Sequence, residues 1–442
     1  MKISKLLVLP LSLGVISILP SCNSSNTVKL VLKTPPLTVS NIIQTVDTYD
    51  LLKKAAEDFA TQYKDKKVEI SVTKFPYEKE QQYITGCFDT ENATDILLEG
   101  YFNMSSYIYS GRVISLDHIM SDDVRSDFST YDLEEGQIEG KTYMLPYYNL
   151  ANTLAYNKKL FKLCGLDKYI LEEGKIAHWS LSEWEEILDT LAEKLPDNIS
   201  PMMMYAKDNQ GDTHIMTLLR SHGCEFFDRE GNFALDNEKG IQALKWIQDG
   251  VDKGWYPSHP ENITVSDCTD LFEGQQLAIC MTNNASFPLL NAKYPDTFGL
   301  VNFPSISGKG FSTGFITGLM VFDNNNEEKL KVAKDFIKYF YSHNDYLQYE
   351  AIGIPSNKSV MEKHKDQIYM LDAYKNNADT QVDFTANNPN WQGENGSVRT
   401  LFYKSINSLL KKELTPEKCA YKIQFECNYA IDVGRQQGKL HV

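Results

Sequence analysis

Apolar positions recur along this chain at two spacings, and their alternation outlines a fold. "VKLVLKT" (28–34) reads as a buried strand, and "DLLKKAAEDFATQY" follows with Leu51, Leu52, Ala55, Phe59 and Tyr63 on one face of an amphipathic helix. "KVEISVTKF" (67–75) then alternates with period two, as a half-buried strand does. Strand, helix, strand is the unit of a parallel α/β sheet. A third strand ends at "TDILLEG" (94–100), before "YFNMSSYIYSGRVISLDHIM".

Beyond "KTYMLPYYN" the pattern starts afresh. Ser180 and Glu183 have capping-box spacing ahead of "LSEWEEILDTLAEKL", whose Leu181, Trp184, Leu188, Leu191 and Leu195 recur at helical spacing. A second helix is expected from an Asp236 cap to Gly254. "LAICM" reads as a strand before "TNNASFP", and "FITGLMVF" as another behind the glycine-rich "SISGKGFSTG". "EEKLKVAKDFIKYFYS" is a helix with Leu330, Ala333, Phe336, Ile337 and Phe340 inward, and Thr415 caps a last helix with Pro416 at its first position. No repeat of solenoid period is visible. At 442 residues, the chain suits two α/β domains or lobes.

The one long apolar run, "LLVLPLSLGVISILP", is about fifteen residues and is interrupted by Pro10 and Gly14, whereas a spanning helix needs roughly twenty. With Lys2 and Lys5 ahead of it, it reads as a secretory signal peptide. It closes on "ILPSC", which resembles the lipobox of bacterial lipoproteins, so residues 1–22 are expected to be the signal segment and Cys22 the lipidated N-terminus, with "NSSN" as tether. Pro20 departs from the usual small or aliphatic residue; the alternative is an ordinary cleavage site near Cys22. Losing Lys2 and Lys5 takes the formal charge from −15 to −17, which disfavours nucleic acid and polyanionic ligands. Of 8 cysteines, seven remain beside Cys22, an odd number with no C-x-x-C spacing. Cys419 and Cys427 would stand roughly 12 Å apart on one helix. Small buried hydrophobes, not disulfides or zinc ligands, are expected.

"GFSTG" (310–314) matches the G-x-S-x-G pattern of serine hydrolases, but that motif needs a strand before its serine and a helix after it. Here a loop-like "SISGK" precedes Ser312 and a strand follows. There is no H-E-x-x-H, P-loop or EF-hand pattern, and the paired acids of "LEEGQIEG" or "WEEIL" read as solvated faces. No catalytic residue, metal or cofactor is expected.

The stretch "EGKTYMLPYYNLANTLAYNKKLFKLCGL", followed by "HWSLSEWEEILDTL", resembles the family 1 extracellular solute-binding proteins of ABC importers. Gly140, Lys141, Tyr143, Leu145, Pro146, Tyr156, Asn157, Lys158, Leu160, Phe161 and Gly165 fit its "G-K-x-Y-x-L-P" and "Y-N-K-x-L-F" segments. "TDILLEG" with "SGRVISLDHIM", "LFEGQQLAICMTNN" and "TPEKCAYKIQ" follow the family's order. The resemblance implies a two-lobed, type II periplasmic-binding-protein-like α/β fold with a ligand cleft between lobes. The lobes are expected at 27–148 plus 318–357 and at 149–317 plus 358–442, with "LPYYNLANT" and "GFITGLM" crossing between them and Gly314 and Gly318 as hinge. It further implies a monomer that delivers a carbohydrate to ABC permease subunits, at the outer face of the cell membrane.

A sugar cleft combines aromatic plates with amide and carboxylate groups. Positions just beyond strand ends give Tyr101, Phe102 and Asn103; Tyr147, Tyr148 and Asn149; and Asn283 and Asn284, where the family often has a stacking tryptophan. The loop "FTANNPNWQGENG" adds Asn388, Trp391 and Gln392, and the glycine loop adds Phe311 and Ser312. Trp179, Trp184 and Trp246 are expected to be packing, Trp255 to cover the second lobe, and Gly308 and Gly310 to serve the loop or an ordinary turn. A non-sugar polar solute and a surface glycan-active enzyme remain as alternative readings.

Overall fold

The strand, helix and strand at the start of the chain form as their periodicity predicts. In the computed structural model, which describes residues 27–36, 38–40, 45–75, 80–207, 211–343, 346, 354–383 and 397–436, Thr27–Thr34 pairs in parallel with both Lys67–Lys74 and Ile96–Gly100. Asp47 caps the helix Thr48–Gln62 through its side chain, and Leu51, Leu52, Ala55 and Phe59 bury against the sheet. The helix Glu327–Ser342 packs beside it through Phe336, Ile337 and Phe340; Val332 and Tyr341 join that inner face, while Leu330 is only half-buried. Asp95 fastens helix to sheet: its carboxylate accepts from the Val31 N–H at 2.8 Å and pairs with Lys329 at 3.0 Å.

Two long strands carry the chain onward. Leu145–Asn157 and Ser312–Val321 run antiparallel, from Leu319 opposite Leu145 to Thr313 opposite Asn152. The end of Ser312–Val321 pairs with Ile96–Gly100, in the first group of strands. The end of Leu145–Asn157 pairs with Leu277–Asn283 and Phe298–Val301, in the second. Ser200–Met202 extends that group in parallel with Leu277–Asn283. Leu145–Asn157 is buried at every position except the half-buried Leu150 and Asn152, as a strand covered on both faces should be.

The second group is covered by the helices Leu181–Lys194, Glu238–Asp252, Ser397–Leu410 and Pro416–Gln436. The Ser180–Glu183 capping box is formed. One cap differs from expectation: Asn237, not Asp236, accepts from Gly240 N at 3.1 Å, because the helix starts one residue later, and Asp236 N donates to Gln424 instead. Trp184, Trp246 and Trp255 pack in a row with ring centres 5.1 and 5.0 Å apart. The indole N–H groups of Trp246 and Trp255 donate to Glu185 and Asp189, so these rings are core. The seven described cysteines are free thiols, six of them buried; Cys22 lies outside the described residues. Among the described residues no helix is long and apolar enough to cross a membrane.

Candidate functional site at the strand crossing

Asn149 stands midway along Leu145–Asn157, between Ile316 on one side and Ile354 on the other. Its Nδ2 donates to Asp132 Oδ1 at 2.8 Å, and its Oδ1 accepts from Gln381 Nε2 at 3.0 Å. Asp132 belongs to the helix Thr130–Glu135, and Gln381 opens the strand Gln381–Asp383, parallel to Ser312–Gly314. Asn284 clips the same backbone, accepting from Ala151 N at 3.0 Å and donating to Asn149 O at 3.3 Å. Four segments thus share one buried polar joint. Burial pushes the Asp132 carboxyl up to about 6, against the downward pull of the Ser356 hydroxyl and the Asn149 amide.

The glycines beside this joint answer to space. A Cβ on Gly314 would overlap Gln381 Nε2 and come within 2.6 Å of the Tyr131 hydroxyl. A Cβ on Gly318 would overlap the Leu145 carbonyl and lie 2.5 Å from Met144 Cγ, at the position where the ladder shifts register. Gly308 and Gly310 differ: both have left-handed φ (75° and 67°) and form the turn ahead of Ser312–Val321, the ordinary-turn alternative.

Ile96–Gly100 runs directly into the short turn Tyr101–Asn103, which places an aromatic group beside the crossing. Tyr101 and Phe102 are stacked at 5.1 Å, and Phe315, from the long strand, lies 4.8 Å from Phe102 and 5.6 Å from Tyr101. Gly100 makes this possible, since a Cβ there would overlap the Phe315 ring. The Arg399 guanidinium, from the helix Ser397–Leu410, sits 5.5 Å from the Phe102 ring centre. Asn103 donates to Glu99 at 2.6 Å and also to Glu80. Burial, followed by the Glu80 charge, holds the Glu99 carboxyl well above the usual carboxylate range, with the Tyr107 hydroxyl beside it. Nearby, the fully buried Lys33 places its Nζ 5.0 Å from the Tyr83 ring centre, with no hydrogen-bond partner among the described residues.

Other expected site residues lie elsewhere. Tyr147 is packed in the first core and donates its hydroxyl to Tyr346 O at 3.0 Å, and Tyr148 packs against it at 5.5 Å. Asn283 caps the turn into Ser286–Lys293 and, with Asn152, lines a depression of about 510 Å³ walled by Phe272, Met281 and Leu289. Phe311 packs on Phe303 at 5.6 Å. Ser312 is buried at a strand start, its Oγ 3.2 Å from Thr380 Oγ1, which is not the exposed strand-to-helix elbow a nucleophile needs. Asn388, Trp391 and Gln392 lie outside the described residues. Sequence reasoning missed Asp132, Gln381, Phe315, Arg399, Glu99 and Glu80; only Glu99 and Phe315, inside strands already recognised, carried a local signal. Among the described residues no cluster of His, Cys, Asp and Glu could hold a metal.

Known proteins share this fold. A maltose-bound MalE3 of T. maritima superposes with a TM-score of 0.71 at 18% identity, over 91% of this chain and 99% of that one. An ABC substrate-binding protein of Listeria monocytogenes in complex with cycloalternan gives 0.73 at 15% identity, over 92% and 99%. These likenesses establish the two-lobed binding-protein fold. By sequence, a binding protein of Brucella abortus (strain 2308) is 23% identical over 317 residues, 70% of this chain and 72% of that one. An arabinooligosaccharide-binding protein of Halalkalibacterium halodurans is 22% identical over 213 residues, 46% of this chain and 44% of the other. The family model for bacterial extracellular solute-binding proteins matches residues 44–345, well over half the chain, and the chain belongs to that family.

Proposed function

We propose that this protein captures a neutral carbohydrate, in particular an oligosaccharide, outside the cell and hands it intact to an ABC import permease. In this reading residues 27–148 with 318–357 form one lobe and 149–317 with 358–442 the other, and they close about Gly314 and Gly318. Cys22 carries the lipid that holds the receptor, as a monomer, at the outer face of the membrane.

One observation carries the ligand class. At the end of Ile96–Gly100, beside the strand crossing, the stacked rings of Tyr101 and Phe102, with the tilted ring of Phe315 against them, adjoin the hydrogen-bonded Asn103, Glu99 and Glu80. Rings match the C–H faces of a sugar, and amide–carboxylate groups match its hydroxyls. Strand carboxyl ends are where open α/β sheets take ligands. The similar proteins hold maltose and cycloalternan, and one relative is an arabinooligosaccharide-binding protein, which points the same way.

The test is the chain from residue 23 onward, melted against a panel of neutral mono- and oligosaccharides with amino acids and polyamines alongside, each hit recovered for mass analysis. A midpoint that rises with the concentration of one carbohydrate, recovered intact, is the expected result. A hit confined to amino acids or polyamines would replace the ligand class, and a cleaved product would replace the receptor reading with an enzyme.

A further inference from the structure

The last long helix, Pro416–Gln436, buries Cys419, Ala420, Ile423, Cys427 and Ile431 on its inner side. An amphipathic helix ordinarily turns charge outward. This one turns out Tyr421, Phe425 and Tyr429, which are 59%, 61% and 68% exposed. At four-residue spacing they stand about 6 Å apart along the axis. The Tyr421 and Phe425 rings are nearly parallel, with 11° between their planes and centres 5.9 Å apart. Other exposed apolar side chains, such as Leu163 and Ile306, lie on separate elements.

Beside the row lies a depression of about 320 Å³, lined by Asp236, Gln424, Asn428 and Asp432 with the three rings. Its polar lining is held in place. Gln424 Oε1 accepts from Asp236 N at 2.7 Å, and Asn428 brackets Phe233, accepting from its N–H at 2.6 Å and donating to its carbonyl at 3.0 Å. Arg435 donates to Asn232 Oδ1 and Glu230 O at 2.7 Å each and also pairs with the lining Asp432 at 3.5 Å.

We propose that this face is a second carbohydrate-binding surface, outside the cleft, that takes a neutral polysaccharide chain. The lining chooses the ligand by exclusion and by fit. No aliphatic side chain lines the depression, whose apolar surface comes from three aromatic rings set among amide and carboxylate groups. Two carboxylates and no lining cation oppose an acidic glycan. A neutral sugar chain offers C–H faces to the rings and hydroxyl donors to Asp236 and Asp432. Rings fixed on a rigid helix lose little conformational freedom on binding, which favours a shallow site of this kind. Such a surface would hold a polymer near the receptor while the cleft takes fragments. The proposal shares its ligand class with the cleft reading but not its site, so either can fail alone.

The experiment runs the chain from residue 23 onward, and its variant Tyr421→Ala/Phe425→Ala/Tyr429→Ala, through native gels cast with starch, dextran, arabinan, xylan or galactomannan, against a gel without polymer. Retardation of the wild type by at least one polymer is expected, with apparent affinity at least about tenfold weaker in the variant, as for removal of buried aromatic anchors. The Phe425→Ala variant alone, several-fold weaker, serves if the triple variant does not fold. The proposal is overturned if no polymer retards the wild type, if the variants are retarded equally, or if sedimentation shows that the wild type self-associates through this face and the variants do not. Polymer retardation that is lost in the variant while no oligosaccharide shifts the melting midpoint would sustain this surface and remove the cleft reading.

Discussion

Asp132 and Glu99 are both buried carboxyl groups held above their ordinary range, yet their surroundings differ in kind. Asp132 meets one amide, Asn149, which is fixed in a strand ladder and passes its remaining capacity to Gln381. Both ends of that amide are engaged, although Asp132 Oδ2 has no hydrogen-bond partner among the described residues. Glu99 meets Asn103, and that single side-chain amide also serves Glu80. Two acids meet at one amide, with the Tyr107 hydroxyl also beside Glu99, so at this strand end carboxyl group faces carboxyl group. An amide fixed in a strand ladder makes a rigid joint, whereas two carboxyl groups gathered at a strand end form the kind of acceptor cluster that sugar hydroxyls engage.

Removing the amide from each cluster should separate them most widely. Asn149→Leu leaves Asp132 and Gln381 without that partner in a buried place, for a loss of about 3 kcal/mol in urea unfolding. Asn103→Leu should cost about half as much, because Glu80 and Glu99 can then share a proton between themselves. Equal losses would break the comparison.

The pH dependence comes next in size. Asp132 moves from 3.8 to about 6 on folding, so the folded state holds its proton more tightly than the unfolded chain. Its contribution to stability is therefore greatest at low pH, falls as pH rises between about 4 and 6, and is flat above that. A shift of this size corresponds to about 3 kcal/mol. Asp132→Asn should gain on the wild type across that window, read as diverging urea midpoints. Glu99→Gln should diverge in the same direction, from near 4.5 upward, since the Glu99 carboxyl also stands above its ordinary value. Parallel midpoints for Asp132→Asn and wild type between pH 4 and 6.5 would show that the joint does not hold a raised acid.

The two glycines refine the picture of the joint. At Gly318 a methyl group meets the Leu145 carbonyl, which is backbone in a paired strand and cannot yield. At Gly314 it meets the ends of the Gln381 and Tyr131 side chains, which can. Gly318→Ala should cost about 2 kcal/mol and Gly314→Ala less than about 1 kcal/mol. The reverse order would mean that the Gln381 contact, not the backbone crossing, limits the space.

How much of this the sequence foretold follows from the range of the forces involved. Helices such as Glu327–Ser342 and the Ser180–Glu183 box were legible because periodicity and capping act within a few residues. The crossover strands were legible as segments through the family resemblance, but their mutual register was not, since it depends on pairing between positions 145–152 and 313–319. Of the residues gathered at the candidate site, Phe102 was legible as a position just beyond a recognisable strand, and Asn149 as part of the crossover segment, although it lies within Leu145–Asn157 and not beyond a strand end. Their partners Asp132, Gln381 and Arg399 were not, because each arrives from a distant short element whose local pattern says nothing about where it docks. Tyr147 shows the converse error that pattern invites. It belongs to the same crossover signal as Asn149, yet the ladder skips it where the register shifts between Thr317 and Gly318, and its ring packs on Phe340 in the first core.

That contrast between neighbouring aromatics supplies the smallest effect, and the one aimed most directly at the ligand. Phe102 is half-buried between Tyr101, Phe315 and Arg399, where truncation removes a stacking face more than it opens a core. Phe102→Ala should weaken binding of whichever oligosaccharide stabilises the wild type by about tenfold, roughly 1.4 kcal/mol, and leave the ligand-free midpoint within about 2 °C. Tyr147→Phe deletes a hydroxyl that bonds Tyr346 O inside the first core. It should lower stability by about 1 kcal/mol and leave affinity unchanged. If Tyr147→Phe weakens binding while Phe102→Ala does not, the ligand lies against the other end of the crossing, and the paired carboxyl groups around Glu99 are a feature of the core.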